Sequence, residues 1–217
     1  MIVFDLLKAD MLEPVIDGIY KFEFADGRDT ARGSAKDIKQ NFQITRANKH
    51  ANRLIDKIEA IISAAAPVQQ YTFAKQIVGT RIASYKDGGH YGWHVDMATM
   101  NGLRTDLSFT LFLTEPDSYE GGELQMDVDG KVRTFKGKAG QIVVYPTGVL
   151  HQVTPVTSGE RLVVVGWINS SIRHEEDRKA VYKLGREVAR LKELVKDPTE
   201  VDQLNYLYMN FRRRFSE

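Results

Sequence analysis

The chain has 217 residues, 42% hydrophobic and 27% charged, which is enough to bury a sizeable core as one main domain with an appendage. A formal net charge of +1 argues against nucleic acid as a partner, because polyanions are held by basic charge concentrated on one face. The absence of cysteine excludes disulfides, thiolate metal sites and cysteine nucleophiles, so any transition metal must sit on nitrogen and oxygen.

No apolar run approaches the roughly 18 to 20 residues that a transmembrane helix needs. The opening MIVFDLLKAD has no basic stretch leading into a long apolar one, so the expectation is an unprocessed cytoplasmic protein with no membrane contact. Residues 1–70 read as a support region of strand and helix. Within it Ala25 to Asn41, ADGRDTARGSAKDIKQN, is polar, contains glycine and lacks periodicity, which predicts a surface loop. From Arg46 to Ala66 the residues Leu54, Ile55, Ile58, Ile61 and Ile62 recur at helical spacing, and Pro67 is expected to close that helix by removing a backbone donor.

Residues 71–171 change texture to short β-rich runs: YTFAKQIVGTRIASY, LSFTLFLT, GGELQMDV, KVRTFKG, QIVVYP, LHQVTPV and ERLVVVGWIN. Turn signals separate them, and VDGK between alternating runs predicts a hairpin of the Asp-Gly kind. Many short strands without intervening helices point to an antiparallel sandwich or barrel, so the class is mainly β with flanking helices. Residues 172–217 return to helix. One segment carries acids in its first turn and ends before Pro198, and a second runs from Thr199 to Phe215 with Leu204, Leu207, Tyr208 and Phe211 on one face. That face could serve packing within the chain or a dimer, so monomer and homodimer both stay open.

The chemistry concentrates in HYGWHVDMATM, His90 to Met100, in a chain with only five histidines. On a strand His94 and Asp96 project to one side while Trp93 and Val95 face away, giving a nitrogen and an oxygen donor from one element. Such a pair alone is weak evidence. His151 follows a turn and starts an alternating run, and as a third donor it completes two histidines and a carboxylate. That set occupies one face of a six-coordinate iron and leaves the other open, as in non-haem Fe(II) oxygenases. A 2-oxo acid fills two of the open positions and dioxygen the last.

A cosubstrate of that kind needs an anchor for its distal carboxylate. Arg161 opens the apolar run RLVVVGW and is read as an inward-pointing planar fork suited to a bidentate carboxylate pair. Tyr85, at the end of the strand before the His94 loop, either donates a hydrogen bond to the same ligand or is a core tyrosine.

The segments RIASYKDGGHYGWHVDMA, RTDLSFTLFLTEPDSYEGGEL and IVVYPTGVLHQVTPVTSGERLVVVGWINSSIR resemble the PKHD-type hydroxylases. These are a bacterial and phage branch of the iron and 2-oxoglutarate-dependent dioxygenases, related to prolyl 4-hydroxylases. The resemblance runs from the early helix to the C-terminal helices. It implies a double-stranded β-helix, or jelly roll, with Fe2+ on His94, Asp96 and His151 and 2-oxoglutarate on Arg161. It implies O2 as the second cosubstrate and L-ascorbate as the reductant of iron after uncoupled turnover. Asp96 supplies the carboxylate that halogenases of the superfamily lack, which favours hydroxylation. His90 falls outside the ligand pattern and is expected in an approach loop. Asn169 stands where family members often have glutamine, and the loop from Ala25 to Asn41 is less clearly matched. Substrate contacts are expected there and in MATMNGLRTD, with a peptidyl proline or a small molecule as substrate.

Three rivals are weighed. A nucleic-acid oxidative demethylase carries a second arginine where this chain has Trp167. A non-catalytic, cupin-like jelly roll could bind metal with the same ligands. A hydrolytic zinc site would leave Arg161 without a role.

Overall fold

Alternating apolar side chains after Phe73 build two antiparallel sheets in the computed structural model, which describes residues 1–31 and 33–217. The larger sheet has seven strands in the order Ile2–Asp5, Gln141–Pro146, Leu107–Phe112, Arg161–Ser170, Ala74–Tyr85, Phe42–Ile44 and Ala25–Asp26. The smaller has five: Lys131–Phe135, Leu124–Val128, His151–Val153, His90–His94 and Lys39–Gln40. Two short hairpin-like pairs complete the β structure, Tyr119–Gly121 with Val156–Gly159 and Thr99–Met100 with Leu103–Arg104.

The large sheet separates two cores. Ala83, Tyr85, Phe112, Val143, Tyr145 and Val163 face the smaller sheet and meet its Leu124, Met126 and Val153. The alternate residues, including Ile82, Leu107, Leu111, Ile142, Val144, Leu162, Val164 and Ile168, pack against Val15, Ile19, Ile55, Ile58, Ile62 and Val68 of the N-terminal helices. Those helices are Ala9–Ile19, Asn52–Ala64 and Ala66–Thr72. Each fully buried aliphatic side chain stabilises this layer by about 1.5–3 kcal/mol relative to exposure.

The VDGK turn forms as expected. Asp129 and Gly130 both have positive φ, 55° and 73°, and Val128 pairs with Lys131 across the two-residue connection. Pro67 differs from expectation. The helix ends at Ala64, and Pro67 lies in the first turn of the next short helix, where its missing N–H would be unbonded in any case. Tyr71 and Thr72, read as the start of a strand, finish that helix, and Phe73 turns the chain with a φ of 49° before the strand Ala74–Tyr85.

The segment Ala25 to Asn41 is not simply a surface loop. It gives the strand Ala25–Asp26 to the edge of one sheet and Lys39–Gln40 to the edge of the other, with two 3-10 turns, Gly27–Thr30 and Gly33–Lys36, between them. Its polarity reflects a crossing between sheet edges at the rim of the interior space, and Lys39 is buried. His90 likewise is not in a loop. It begins the strand His90–His94 and pairs with Gln40.

The helices Glu175–Leu194 and Asp202–Phe215 close the chain, with Tyr182, Tyr208 and Phe215 packed on Phe73, Ile172 and Val181. The apolar face expected on the last helix is divided, because Tyr208 packs inward while Leu204, Leu207 and Phe211 are 36%, 47% and 39% exposed. No helix among the described residues is long and apolar enough to cross a membrane.

Candidate active site

Strand pairing places His94 and His151 directly opposite each other, each at the end of its strand in the smaller sheet. Their ring centroids lie 4.3 Å apart. The strand stops at His94, and Asp96 follows in the irregular segment beyond it, with Trp93 and Val95 turned to solvent as alternation predicts. Asp96 Oδ1 is 3.6 Å from His94 Nε2, and its Oδ2 is 3.7 Å from His151 Nε2. The donor atoms of these three residues all lie within 4.8 Å of one another.

Both imidazoles turn Nε2 toward the carboxylate. His94 Nδ1 lies 2.7 Å from the Gly92 carbonyl oxygen and His151 Nδ1 2.9 Å from that of Val149. A carbonyl only accepts, so each Nδ1 carries a proton and Nε2 is the nitrogen each ring can offer a metal. Burial lowers the pKa of His151, and the neighbouring His94 adds to this while Asp96 opposes it, so the ring is held neutral.

Asp96 is held by its own partners. Ser108 Oγ donates to Oδ2 at 2.8 Å, and Trp167 Nε1 donates to the same oxygen at 2.9 Å. Burial acts to raise its pKa, but the approach of His94, the neighbouring His151 ring and the Trp167 bond outweigh this and bring it down to about 2. It is therefore an anionic oxygen donor at neutral pH. Tyr91 stacks on the His94 ring at 3.5 Å between centroids and fixes its plane.

These residues line a cavity of about 200 Å³ whose wall also includes Arg161, Tyr85 and Tyr145. Arg161 is 1% exposed, and neither Nε nor Nη1 has a hydrogen-bond partner among the described residues. It is packed beside the rings of Tyr85 and Phe112, with Cζ 5.0 and 5.3 Å from their centroids. Tyr85 is its partner across the adjacent strand, and burial pushes the phenol pKa up, so the hydroxyl remains a donor. A buried guanidinium with open donors is costly unless a ligand completes it, and a carboxylate is the matching ligand. The donor set and the open cation thus suit a transition metal together with an anionic cosubstrate.

Residues 80–169 match the family model described as the 2OG-Fe(II) oxygenase superfamily. A PKHD-type hydroxylase of Picosynechococcus is 37% identical over 98% of this chain and 97% of its own length. The chain belongs to the PKHD-type hydroxylases. As a member it is a dioxygenase that uses Fe(II), 2-oxoglutarate and O2 and hydroxylates its substrate while 2-oxoglutarate is decarboxylated to succinate. The fold is also that of a Pseudomonas putida prolyl-4-hydroxylase crystal structure, with a TM-score of 0.54 at 22% identity over 78% of this chain and 91% of that one. A Trichoplax adhaerens prolyl hydroxylase, solved with a peptide fragment of the hypoxia inducible factor oxygen degradation domain, gives 0.53 at 12% identity over 83% and 86%. These PKHD-type and prolyl hydroxylase likenesses support the jelly-roll reading and give none to a non-catalytic metal-binding module.

His94, Asp96, His151, Arg161 and Tyr85 share one cavity, and His90 lies outside it with Nδ1 on the Gly88 carbonyl oxygen at 2.9 Å. Met97 and Met100 of the MATM segment, and Thr30, Ala31, Ala35 and Lys39 of the Ala25 to Asn41 segment, also line the cavity. Sequence reasoning missed Ser108 and the bond from Trp167. For Trp167 a signal existed: on an alternating strand it falls on the same face as Arg161. Asn169 faces elsewhere, with Nδ2 donating to the Arg104 carbonyl oxygen at 3.2 Å.

Proposed function

We propose that His94, Asp96 and His151 hold the catalytic Fe(II) of this hydroxylase and that Arg161 takes the distal carboxylate of 2-oxoglutarate. Tyr85 donates a hydrogen bond to the same cosubstrate. The observation that carries the reading is the buried Arg161 guanidinium, with unpartnered nitrogens, in the cavity that holds the two-histidine, one-carboxylate cluster. Held there, Fe(II) with 2-oxoglutarate would supply the oxidising chemistry that hydroxylates the substrate and leaves carbon dioxide and succinate. The chain's own residues orient. Trp167 and Ser108 hold Asp96 in place, and Tyr91 holds His94.

The substrate is a peptidyl proline or a small molecule; the Trichoplax enzyme with its bound peptide supports the first. Nucleic acid is disfavoured by the near-neutral charge and by Trp167 in place of a second arginine. Ascorbate restores Fe(II) after uncoupled turnover. The protein acts in the cytoplasm as a monomer or homodimer, with residues 71–171 carrying the chemistry and residues 1–70 and 172–217 supporting them. A screen for succinate release against proline-containing peptides and free amino acids, with product mass checked for one added oxygen, tests the reading. The reading expects coupled succinate and hydroxylated product from the parent and neither from Asp96→Ala; equal turnover by the two proteins overturns it.

A further inference from the structure

The cavity contains two more cations that the chemistry above does not use. Lys39, 4% exposed, enters from the edge strand of the smaller sheet, and Arg81 from the strand Ala74–Tyr85 of the larger. Both converge on one hydroxyl. Lys39 Nζ donates to Thr30 Oγ1 at 2.8 Å, and Arg81 Nη1 donates to the same oxygen at 3.2 Å. Each is also braced by an aromatic ring tied to the candidate iron ligands. Lys39 Nζ lies 5.1 Å from the Tyr91 centroid, and Tyr91 stacks on His94. Arg81 Cζ lies 5.1 Å from the Trp167 ring, whose Nε1 bonds Asp96.

Among the described residues no carboxylate lies within ion-pair distance of either cation. Two like charges therefore meet at a single neutral oxygen in a partly desolvated place, offset by Asp96 only from beyond ion-pair distance, an arrangement that an arriving anion would stabilise. Both residues also line the grooves that adjoin the cavity, Arg81 on one side and Lys39 on another, so they stand where an incoming molecule passes. Burial lowers the Lys39 pKa to about 7, with Arg81 adding to the shift, and an arriving negative charge would reverse it.

We infer that Lys39 and Arg81 form a second anion subsite, which selects substrates that carry a carboxylate close to the carbon to be hydroxylated. This rests on the reading that Arg161 takes 2-oxoglutarate, because that cosubstrate has one distal carboxylate and Arg161 uses it. The cosubstrate's other carboxylate, at C1, would be taken up beside the 2-oxo group by the metal, so an anion held by Lys39 and Arg81 would come from the substrate. Two donors converging from adjacent elements match the two oxygens of a planar carboxylate, while the Thr30 hydroxyl hydrogen is already committed to the Gly27 carbonyl oxygen or Gln43 Oε1.

The test uses the full chain with Zn(II) and 2-oxoglutarate bound, so that no turnover occurs. Binding is read by ligand-observed NMR with N-acetyl amino acids, short peptides with free C-termini, and the carboxamide of each. Acids are expected to bind about tenfold or more tighter than their amides, and Lys39→Met and Arg81→Met are each expected to remove that difference. A preference for peptides assigns the carboxylate to a peptide terminus and a preference for N-acetyl amino acids to a small acid; either keeps the subsite. Equal binding of acids and amides, no binding of acids, acid selectivity surviving in both variants, or binding of phosphate monoesters alone overturns it. A parallel 2-oxoglutarate titration separates the failures. Affinity retained in the Lys39 and Arg81 variants and lost in Arg161→Met upholds the cosubstrate reading and certifies that the variants are folded. The opposite pattern overturns that reading and this inference with it.

Discussion

Trp167 Nε1 donates a hydrogen bond to Asp96 Oδ2 across 2.9 Å, joining the middle of one sheet to the cluster of His94, Asp96 and His151 at the end of another. With Ser108 Oγ on the same oxygen, it leaves Oδ1 without either bond. An indole is thereby used as an orienting donor, and its position fixes which carboxylate oxygen is free. Trp167→Phe keeps most of the packing and removes the donor. Metal affinity, measured by Mn(II) competition, is expected to fall by about 10- to 100-fold with little change in melting temperature. Unchanged affinity would show that the bond does not position the ligand.

Arg161→Met should leave metal affinity near that of the parent while raising the 2-oxoglutarate requirement by about 100-fold or more, since a buried charge-assisted pair is lost. Arg161→Lys should rescue little, because a single ammonium cannot reproduce the planar fork. Steady-state succinate production at varied 2-oxoglutarate reads both. Parental kinetics in Arg161→Met would remove it from the site.

Asp96→Ala should abolish succinate formation, and Asp96→Asn should weaken metal binding even though shape is conserved, because the anionic donor is gone. Calorimetric titration of metal into each variant checks this. Parental affinity in Asp96→Asn would assign the metal to other residues.

Lys39 should make stability depend on pH. Its folded pKa is depressed from 10.5 to about 7, first by burial and then by the charge of Arg81, with Asp96 and Asp26 offsetting part of it. Between those values the unfolded chain binds more protons than the folded one, so this group's contribution rises with pH from about 7 to 10.5. Lys39→Met is therefore expected to raise the melting temperature at pH 6 and to lose that advantage by about pH 10.5, read by thermal denaturation across that range. A variant equally destabilised at both ends would contradict the assignment of a charge that burial disfavours.

Ile168 is fully buried on the helix-facing side of the large sheet. Ile168→Ala should cost about 2–5 kcal/mol of stability while leaving metal affinity in the folded protein unchanged. Denaturant unfolding paired with metal titration measures the two separately.

The strands after Phe73 and the two C-terminal helices were legible because their periods are regular, the strands being bounded by turn residues and the first of the helices carrying acids in its first turn. His94, His151 and Arg161 were legible because each sits in a patterned run that assigns it a face, whereas Asp96 lies just past the end of its strand and was legible only from its spacing to His94. Lys39 and Arg81 were not, since a lysine in a polar, glycine-containing stretch and an arginine within a strand look solvated until tertiary pairing buries them. The two edge strands of that stretch were hidden for a related reason. Each is only two residues long, and pairing with a neighbour, not local preference, makes it a strand. Pro67 misled because its meaning depends on whether the next residues begin another helix.

The ten-residue strand Arg161–Ser170 borders both cores. Arg161, Val163, Val165 and Trp167 belong to the cavity side, and Leu162, Val164 and Ile168 to the side of the helices. Neighbouring codons thus answer to different demands: a change at Arg161 or Trp167 is felt first by the bound cosubstrate or by Asp96, and a change at Leu162, Val164 or Ile168 first by the seam between sheet and helices.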